Sequence, residues 1–313
     1  MRIFVTGATG YIGSAVVREL LGAGHQVIGL ARSDSSAAAL EAVGAQVRRG
    51  DLEDPDSLRA GATVADGVIH AASQHISEIT DPAARARTEL DAVQAIGEAL
   101  EGSGKPFVVT LGTMGLRLGR TGTEADVPDA EALGALALRV PTEHAVIALA
   151  ERGVRSAVLR LAPLVHGEGD HKGFVPTLIG IARARGVSAY VGDGANRWPA
   201  VHRMDAAHLY RLAVEGAPAG SRLHAVDDEG VPFRKIAEAI GRRQNVPVVS
   251  IAAEDAGQHF GFLGPLASID TPASSTLTRQ RLGWRPLHVP LIADIEKGHY
   301  FNGIQHGTTA PEG

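Results

Sequence analysis

Met1-Arg2-Ile3-Phe4-Val5-Thr6-Gly7-Ala8-Thr9-Gly10-Tyr11-Ile12-Gly13 opens the chain, and its reading decides the fold. Ile3, Phe4 and Val5 make a short apolar run suited to a buried parallel strand. After Gly13 the apolar positions move to Ala15, Val16, Val17, Leu20 and Leu21, which is helical spacing. Glycines 7, 10 and 13 therefore stand at a turn from strand to helix. Gly7 permits the tight turn, Gly10 admits a pyrophosphate close to the backbone, and Gly13 lets the helix press on the strand. The helix then aims its free N–H groups and positive dipole end at the phosphates. A glycine triplet alone is weak evidence. Here a strand precedes it, a helix follows, and a second strand at 26–31 completes the context of a dinucleotide-binding turn.

Working outward, the second strand ends where a carboxylate would hold the adenosine ribose hydroxyls. This chain has Ala31 there, followed by Arg32 and Ser33. A guanidinium offers forked donors to phosphate oxygens, so NADP(H) is favoured over NAD(H). A short helix over 37–43 and a third strand over 46–49 lead to Asp51-Leu52, where the adenine edge would lie. Strand four reads over 67–72 and ends in small residues, Ala71-Ala72-Ser73, that let a cofactor lie close. His70 reads as structural, because Val68-Ile69 runs directly into it. A helix over 82–100 and a fifth strand over 107–111 follow. Arg117 to Pro128 reads as a loop, Thr142 to Leu149 as a helix, and Ser156 to Leu161 as strand six. Strand and helix alternate to residue 161, which gives an α/β, Rossmann-type doubly wound parallel sheet.

Beyond 162 the rhythm loosens. Pro163 to Gly169 reads as a loop, with helices over 174–184, 205–215, 232–243 and 275–282, and short strands over 189–191 and 246–251. Leu223 to Val226 is expected to return to the main sheet. The resulting division is a dinucleotide-binding domain over 1–165, rejoined by 200–227, and a smaller substrate lobe from 166–199 and 228–313. A chain of 313 residues suits one large domain with such a lobe.

Composition narrows the function. Apolar residues make up 44 % and charged residues 21 %, an ordinary globular balance. A net charge of −5 without a basic block argues against nucleic acid as a partner. With no cysteine there is no disulfide and no thiolate chemistry. No apolar run approaches the ~20 residues of a membrane span, and the first strand begins at once, so a cytoplasmic protein without a membrane partner is expected. A homodimer is compatible with this surface. Of 30 basic residues only Lys105, Lys172, Lys235 and Lys297 are lysines, a bias with no functional account.

These motifs resemble the extended or atypical branch of the short-chain dehydrogenase/reductase superfamily, the branch that includes NAD-dependent epimerases and dehydratases. Thr6-Gly7-x-x-Gly10-x-x-Gly13 is similar to its cofactor loop, Asp51-Leu52 to its adenine contact, and His70-Ala71-Ala72 to the segment after strand four. Val201 to Ala206 and Leu282-Gly283-Trp284-x-Pro286 resemble its late landmarks. The resemblance implies cofactor contacts at Thr6, Gly7, Thr9, Gly10, Tyr11, Ile12, Gly13, Arg32, Ser33, Asp51, Leu52, Ala71, Ala72, Ser73, Thr110, Pro163 and Val165. It also implies hydride chemistry on a small-molecule substrate near strands four to six. In that family a tyrosine, lowered in pKa by a lysine four residues later, handles the substrate proton.

This chain departs from the pattern there. Four residues after Tyr11, Tyr190, Tyr210 and Tyr300 stand Ala15, Gly194, Val214 and Ile304, so no Tyr-x-x-x-Lys pair exists. Counting back from Glu143 puts Ala135 at the tyrosine position and Arg139 at the lysine position. Pro141 interrupts the helix between them and Glu143. Arg139 can hold a ribose but cannot act as an acid. Thr113 after strand five is expected to meet the substrate oxygen. Histidine is the best replacement proton donor near neutral pH, and His166 leads, ahead of His75 and His202. No histidine pair has metal-ligand spacing, so no metal site is expected, and no Gly-x-Ser-x-Gly elbow supports a serine nucleophile. Trp198 and Trp284 read as packing residues.

Three functions compete at this level. One is a reductase using NADPH and acting on an activated C=O, C=N or C=C bond. The second is a non-catalytic NADP(H)-binding protein that responds to redox state through its interactions. The third is a nucleotide-sugar epimerase or dehydratase, ranked last because those reactions generally need the tyrosine.

Overall fold

The computed structural model describes residues 1–72, 81–116, 119–128, 130 and 134–301. The chain alternates strand and helix: β1 (Arg2–Thr6), α1 (Tyr11–Gly22), β2 (Gln26–Ala31), α2 (Asp34–Ala42), β3 (Gln46–Arg49), α3 (Pro55–Val64), β4 (Gly67–His70), α4 (Pro82–Leu100), β5 (Pro106–Gly112), α5 (Val140–Ala148) and β6 (Arg155–Leu161). It then leaves through β7 (Leu164–His166), α6 (Phe174–Arg185), β8 (Ser188–Val191), β9 (Arg197–His202) and α7 (Arg203–Gly216), and comes back as β10 (Ser221–Ala225). Strands β3-β2-β1-β4-β5-β6-β10 stand in that order in one sheet, and every pair is parallel. The expected doubly wound sheet is therefore present. Its strand order reverses between β1 and β4, where such sheets open a crevice at their carboxyl ends.

Alternation along β1 divides the core. Ile3 and Val5 join the cluster that buries α1, α2 and α7 on one face, while Phe4 joins α3, α4 and α5 on the other. The remaining elements are β11 (Asp228–Pro232), α8 (Phe233–Gln244), β12 (Val248–Ile251), α9 (Ala256–Phe260), α10 (Thr276–Leu282) and α11 (Leu291–Lys297). Strands β7, β9 and β11 form a second sheet, β8 and β12 a third. A separate apolar cluster lies between them and α6, α8 and α11. Trp198 anchors it, with its ring 5.1 Å from Phe233 and 5.6 Å from Phe174. Trp284 is buried in the first cluster, so both tryptophans do pack.

Several elements differ from the sequence reading. Helix α3 was not anticipated, although Asp54 caps it and Pro55 begins it. Residues 164–166, expected as loop, pair with β9. Pro141 does not interrupt a helix. It sits in the first turn of α5, where its missing N–H costs nothing, and a 3₁₀ turn over Gly134–Arg139 precedes it. Among the described residues no helix is long and apolar enough to cross a membrane.

Candidate active site

The glycine turn is tight for reasons that the packing makes plain. Gly7 adopts φ +68°, and a Cβ there would lie 2.6 Å from the Ala72 backbone. A Cβ on Gly13 would fall on the Gly7 carbonyl oxygen. Gly10 caps α1 with no side-chain hydrogen bond, so the first N–H groups of α1 are left for a ligand. From this turn a cavity of about 1000 Å³ runs past the carboxyl ends of β4, β5 and β6. Gly7, Thr9, Gly10, Tyr11, Ile12, Gly13 and Ala71 line its near end, with Arg139, Pro163 and Val165 beyond them. Met114, Leu138, Phe174 and Leu266 add apolar wall. The glycine cradle, the uncapped helix end and the length of the cavity all fit a dinucleotide.

Arg32, Ser33, Asp51 and Leu52 stand outside this enclosure, following β2 and β3. Arg32 is 84 % exposed, with its Nε 3.8 Å from the Asp51 carboxylate. The Ser33 hydroxyl caps α2 by accepting the Ser36 N–H at 3.2 Å and lies 2.9 Å from the Ser35 hydroxyl. Arg49 pairs with Asp34. Asp51 accepts the Glu53 N–H, and Leu52 packs against the core. Ser73 and His75 lie outside the described residues.

Other expected site residues turn inward. The Thr6 hydroxyl is buried 3.0 Å from His70 Nδ1 and accepts the Ala72 N–H at 3.4 Å, fastening β1 to the end of β4. Thr110 donates to the His70 carbonyl at 2.8 Å and meets the Tyr210 hydroxyl at 2.6 Å. Thr113 is fully buried and does not line the cavity, while Gly112 and Met114 do; the expected substrate contact has no surface there. His166 needs the same correction. It is 1 % exposed, and its Nδ1 lies 3.0 Å from the Asp294 carboxylate on α11. The alternation of β7 points it into the lobe, away from the cavity that Val165 lines. His202 stacks on His288 at 4.5 Å. Burial, with His166 and His288 beside it, holds it down to about 4. Its neighbour Asp205 accepts from the Leu287 and His288 N–H groups, so this histidine–aspartate group clamps the carboxyl-terminal segment.

Arg139 does line the cavity. Its Nε donates to Glu89 on α4 at 2.8 Å, and a terminal nitrogen donates to the Thr110 carbonyl at 2.9 Å. Nearby, burial chiefly, helped by Arg139, pushes His70 down to about 4 against the pull of Glu89. Glu143, which also reaches the cavity, is held by Arg160 at 3.0 Å and Arg222 at 2.8 Å. Burial would raise its pKa, yet the two guanidiniums hold it below the usual carboxylate range.

Among the cavity residues missed from the sequence are Arg203 and Asp170. Arg203, at the start of α7, lies 4.4 Å over the Tyr11 ring and donates to the Glu168 carbonyl at 2.8 Å and to the Ser14 hydroxyl at 3.2 Å. Asp170 lies in the loop before α6, 6 % exposed. Tyr11 joins this loop to the glycine turn, donating to the Gly167 carbonyl at 3.1 Å, while the Gly167 N–H donates to the Tyr300 hydroxyl at 2.9 Å.

The comparisons with known proteins agree with this geometry. A family model described as the NAD dependent epimerase/dehydratase family matches residues 3–225. The chain is 49 % identical to "Uncharacterized protein C2A9.02" of Schizosaccharomyces pombe, over 96 % of this chain and 100 % of that one. It is 29 % identical to a 2-alkyl-3-oxoalkanoate reductase of Stenotrophomonas maltophilia, over 80 % and 78 %. In fold it resembles the crystal structure of a Thermotoga maritima UDP-glucose 4-epimerase, with a TM-score of 0.74, 21 % identity and coverage of 96 % and 98 %. With a nicotinamide dinucleotide fitting the glycine cradle and the family model spanning the whole main sheet, the chain belongs to the NAD dependent epimerase/dehydratase family.

Proposed function

We propose that the protein is an NADP(H)-dependent reductase of a small organic substrate bearing an activated C=O, C=N or C=C bond. The observation that carries this reading is the continuous cavity of about 1000 Å³ from the glycine turn to the apolar wall at Met114 and Phe174. Gly10, Gly13 and the amino end of α1 would hold the pyrophosphate, Arg139 a ribose, and Pro163 and Val165 the ring. The bound cofactor supplies hydride. Arg32, exposed after β2 with the Ser33 and Ser35 hydroxyls close by, supports a 2′-phosphate.

Arg139, whose charge is paired with Glu89, can hold and orient the ribose but has no proton to give near neutral pH. Such a site acts mainly by positioning and by charge stabilisation, which suits a bond that is already polarised. The absence of a Tyr-x-x-x-Lys pair, which epimerisation generally needs, favours reduction over epimerisation, and the apolar wall of the cavity favours turnover over binding alone. The test is oxidation of NADPH and NADH by the purified protein against panels of ketones, imines and enones. Turnover of activated substrates with NADPH is expected. Turnover of plain ketones alone, or a preference for NADH, would overturn the reading.

A further inference from the structure

Hydride delivery to a C=O or C=N carbon leaves electron density on the heteroatom, which must take a proton. His166 and Thr113, the expected partners of that atom, are enclosed. Four residues after His166, Asp170 lines the cavity while only 6 % exposed. Its Oδ1 accepts the Gly173 N–H at 2.7 Å, so one oxygen is fixed by the turn that starts α6. Its Oδ2 is buried without a hydrogen-bond partner. Gly173 leaves that oxygen its room, because a Cβ there would fall on it. An unpartnered, buried carboxyl oxygen on a pocket-lining residue is costly to keep unless a ligand completes it.

The surroundings favour the protonated form. Burial raises the Asp170 carboxyl to about 6, against the opposing pull of the Gly173 and Lys172 N–H groups and of His171 and His166. From the elements packed around it, Tyr11 and Tyr300 lie within electrostatic reach of Asp170, with Arg203 and Asp294 within reach of Tyr11. Both tyrosines are held far above their ordinary value, mainly by burial, and so stay neutral.

Resting on the reductase reading above, we propose that Asp170 is the catalytic acid that protonates the substrate heteroatom. The substrate carbon takes the hydride of a reduced nicotinamide, and the π pair moves onto the oxygen or nitrogen. That atom takes the proton as the bond to Oδ2 breaks, and water reprotonates the carboxylate.

Asp170→Asn keeps an Oδ1 acceptor for Gly173 and removes the proton. In the full-length protein, kcat for NADPH oxidation should fall about 10²- to 10⁴-fold with the variant, while NADPH affinity, read by fluorescence titration, stays unchanged. Wild-type kcat/KM should fall about tenfold per pH unit above the carboxyl's titration, and the residual rate of the variant should lose that limb. Infrared titration without cofactor should show a protonated-carboxyl band lost in the variant. Wild-type rate and pH profile in Asp170→Asn, or no such band, would overturn the assignment and leave the reductase reading standing. A wild-type protein that neither binds nor oxidises NADPH overturns both. If the variant does not fold, a wild-type kcat/KM flat from pH 5 to 8 overturns the assignment alone.

Discussion

At the scale of single residues, charge and burial set the outcomes. On the proposed NADP(H) reading, Arg32→Asp sets a carboxylate against the 2′-phosphate. Charge-assisted hydrogen bonds contribute about 1.5–3 kcal/mol, so NADPH affinity should drop about 10- to 100-fold while NADH affinity holds or rises, as titration of both would show. His70 makes a stability prediction with a definite sign. An unfolded histidine takes its proton near 6.5, whereas burial in the fold holds His70 to about 4. Between those values the unfolded chain binds the extra proton, so this contribution is whole above pH 6.5 and declines as pH falls. The loss reaches about 3 kcal/mol by pH 4. His70→Asn, which retains a polar atom toward Thr6, should lower stability less steeply on acidification than the wild type in urea melts at pH 7, 5.5 and 4. Legibility ended at this scale. The glycine turn could be read because the positive φ at Gly7 and the close approach of Gly13 to the Gly7 carbonyl are constraints within thirteen residues. The direction of His166 could not, because it depends on β7 pairing with β9, thirty-six residues away in sequence, and on Asp294 waiting on α11.

Helices and strands were legible where an apolar stripe ran along them and illegible where small residues replaced it. Helix α3 buries Ser57, Leu58, Gly61 and Ala62, too few large side chains to register as periodic. Gly61 is there because the Phe4 ring lies against it: a Cβ would come within 2.5 Å of the ring. Gly61→Ala gains about 1 kcal/mol of helix propensity but overpacks a fully buried aromatic at about 1–3 kcal/mol. The packing loss wins, and the urea midpoint should fall. Gly180, exposed within α6 with nothing within 4 Å of a built Cβ, makes the opposite case. Gly180→Ala should raise stability by about 0.5–1 kcal/mol. Equal effects of the two substitutions would show that close packing at Phe4 is not what selects the glycine. The same locality explains the capping of α2 by Ser33, whose hydroxyl accepts the Ser36 N–H.

Across the whole molecule, the carboxyl-terminal segment sews the two cores together. Trp284 is buried in the main core, Leu291 and Ile295 in the lobe core, and Asp205 holds the stretch between them through Leu287 N–H at 2.9 Å, His288 N–H at 3.0 Å and His288 Nδ1 at 2.8 Å. Asp205→Ala leaves these donors unmatched and should cost about 2–4 kcal/mol, with earlier proteolysis after residue 284 as the direct sign. The sheet was legible at this scale because strand and helix alternate in register with its windings. In the lobe the helices α6, α8 and α10 and the strands β8 and β12 were legible too; the sheet of β7, β9 and β11 was not, since whole helices and strands intervene between its members in sequence. One feature of the plan bears on any attempt to dissect it. Strand β10 closes the main sheet only after the chain has made its excursion through β7, β8 and β9. A fragment ending before residue 221 would leave the Ala157–Leu161 border of β6 without a neighbour, and a naked border recruits strands from other copies. The nucleotide half can thus be isolated only by splicing across the excursion, never by shortening the chain from its end.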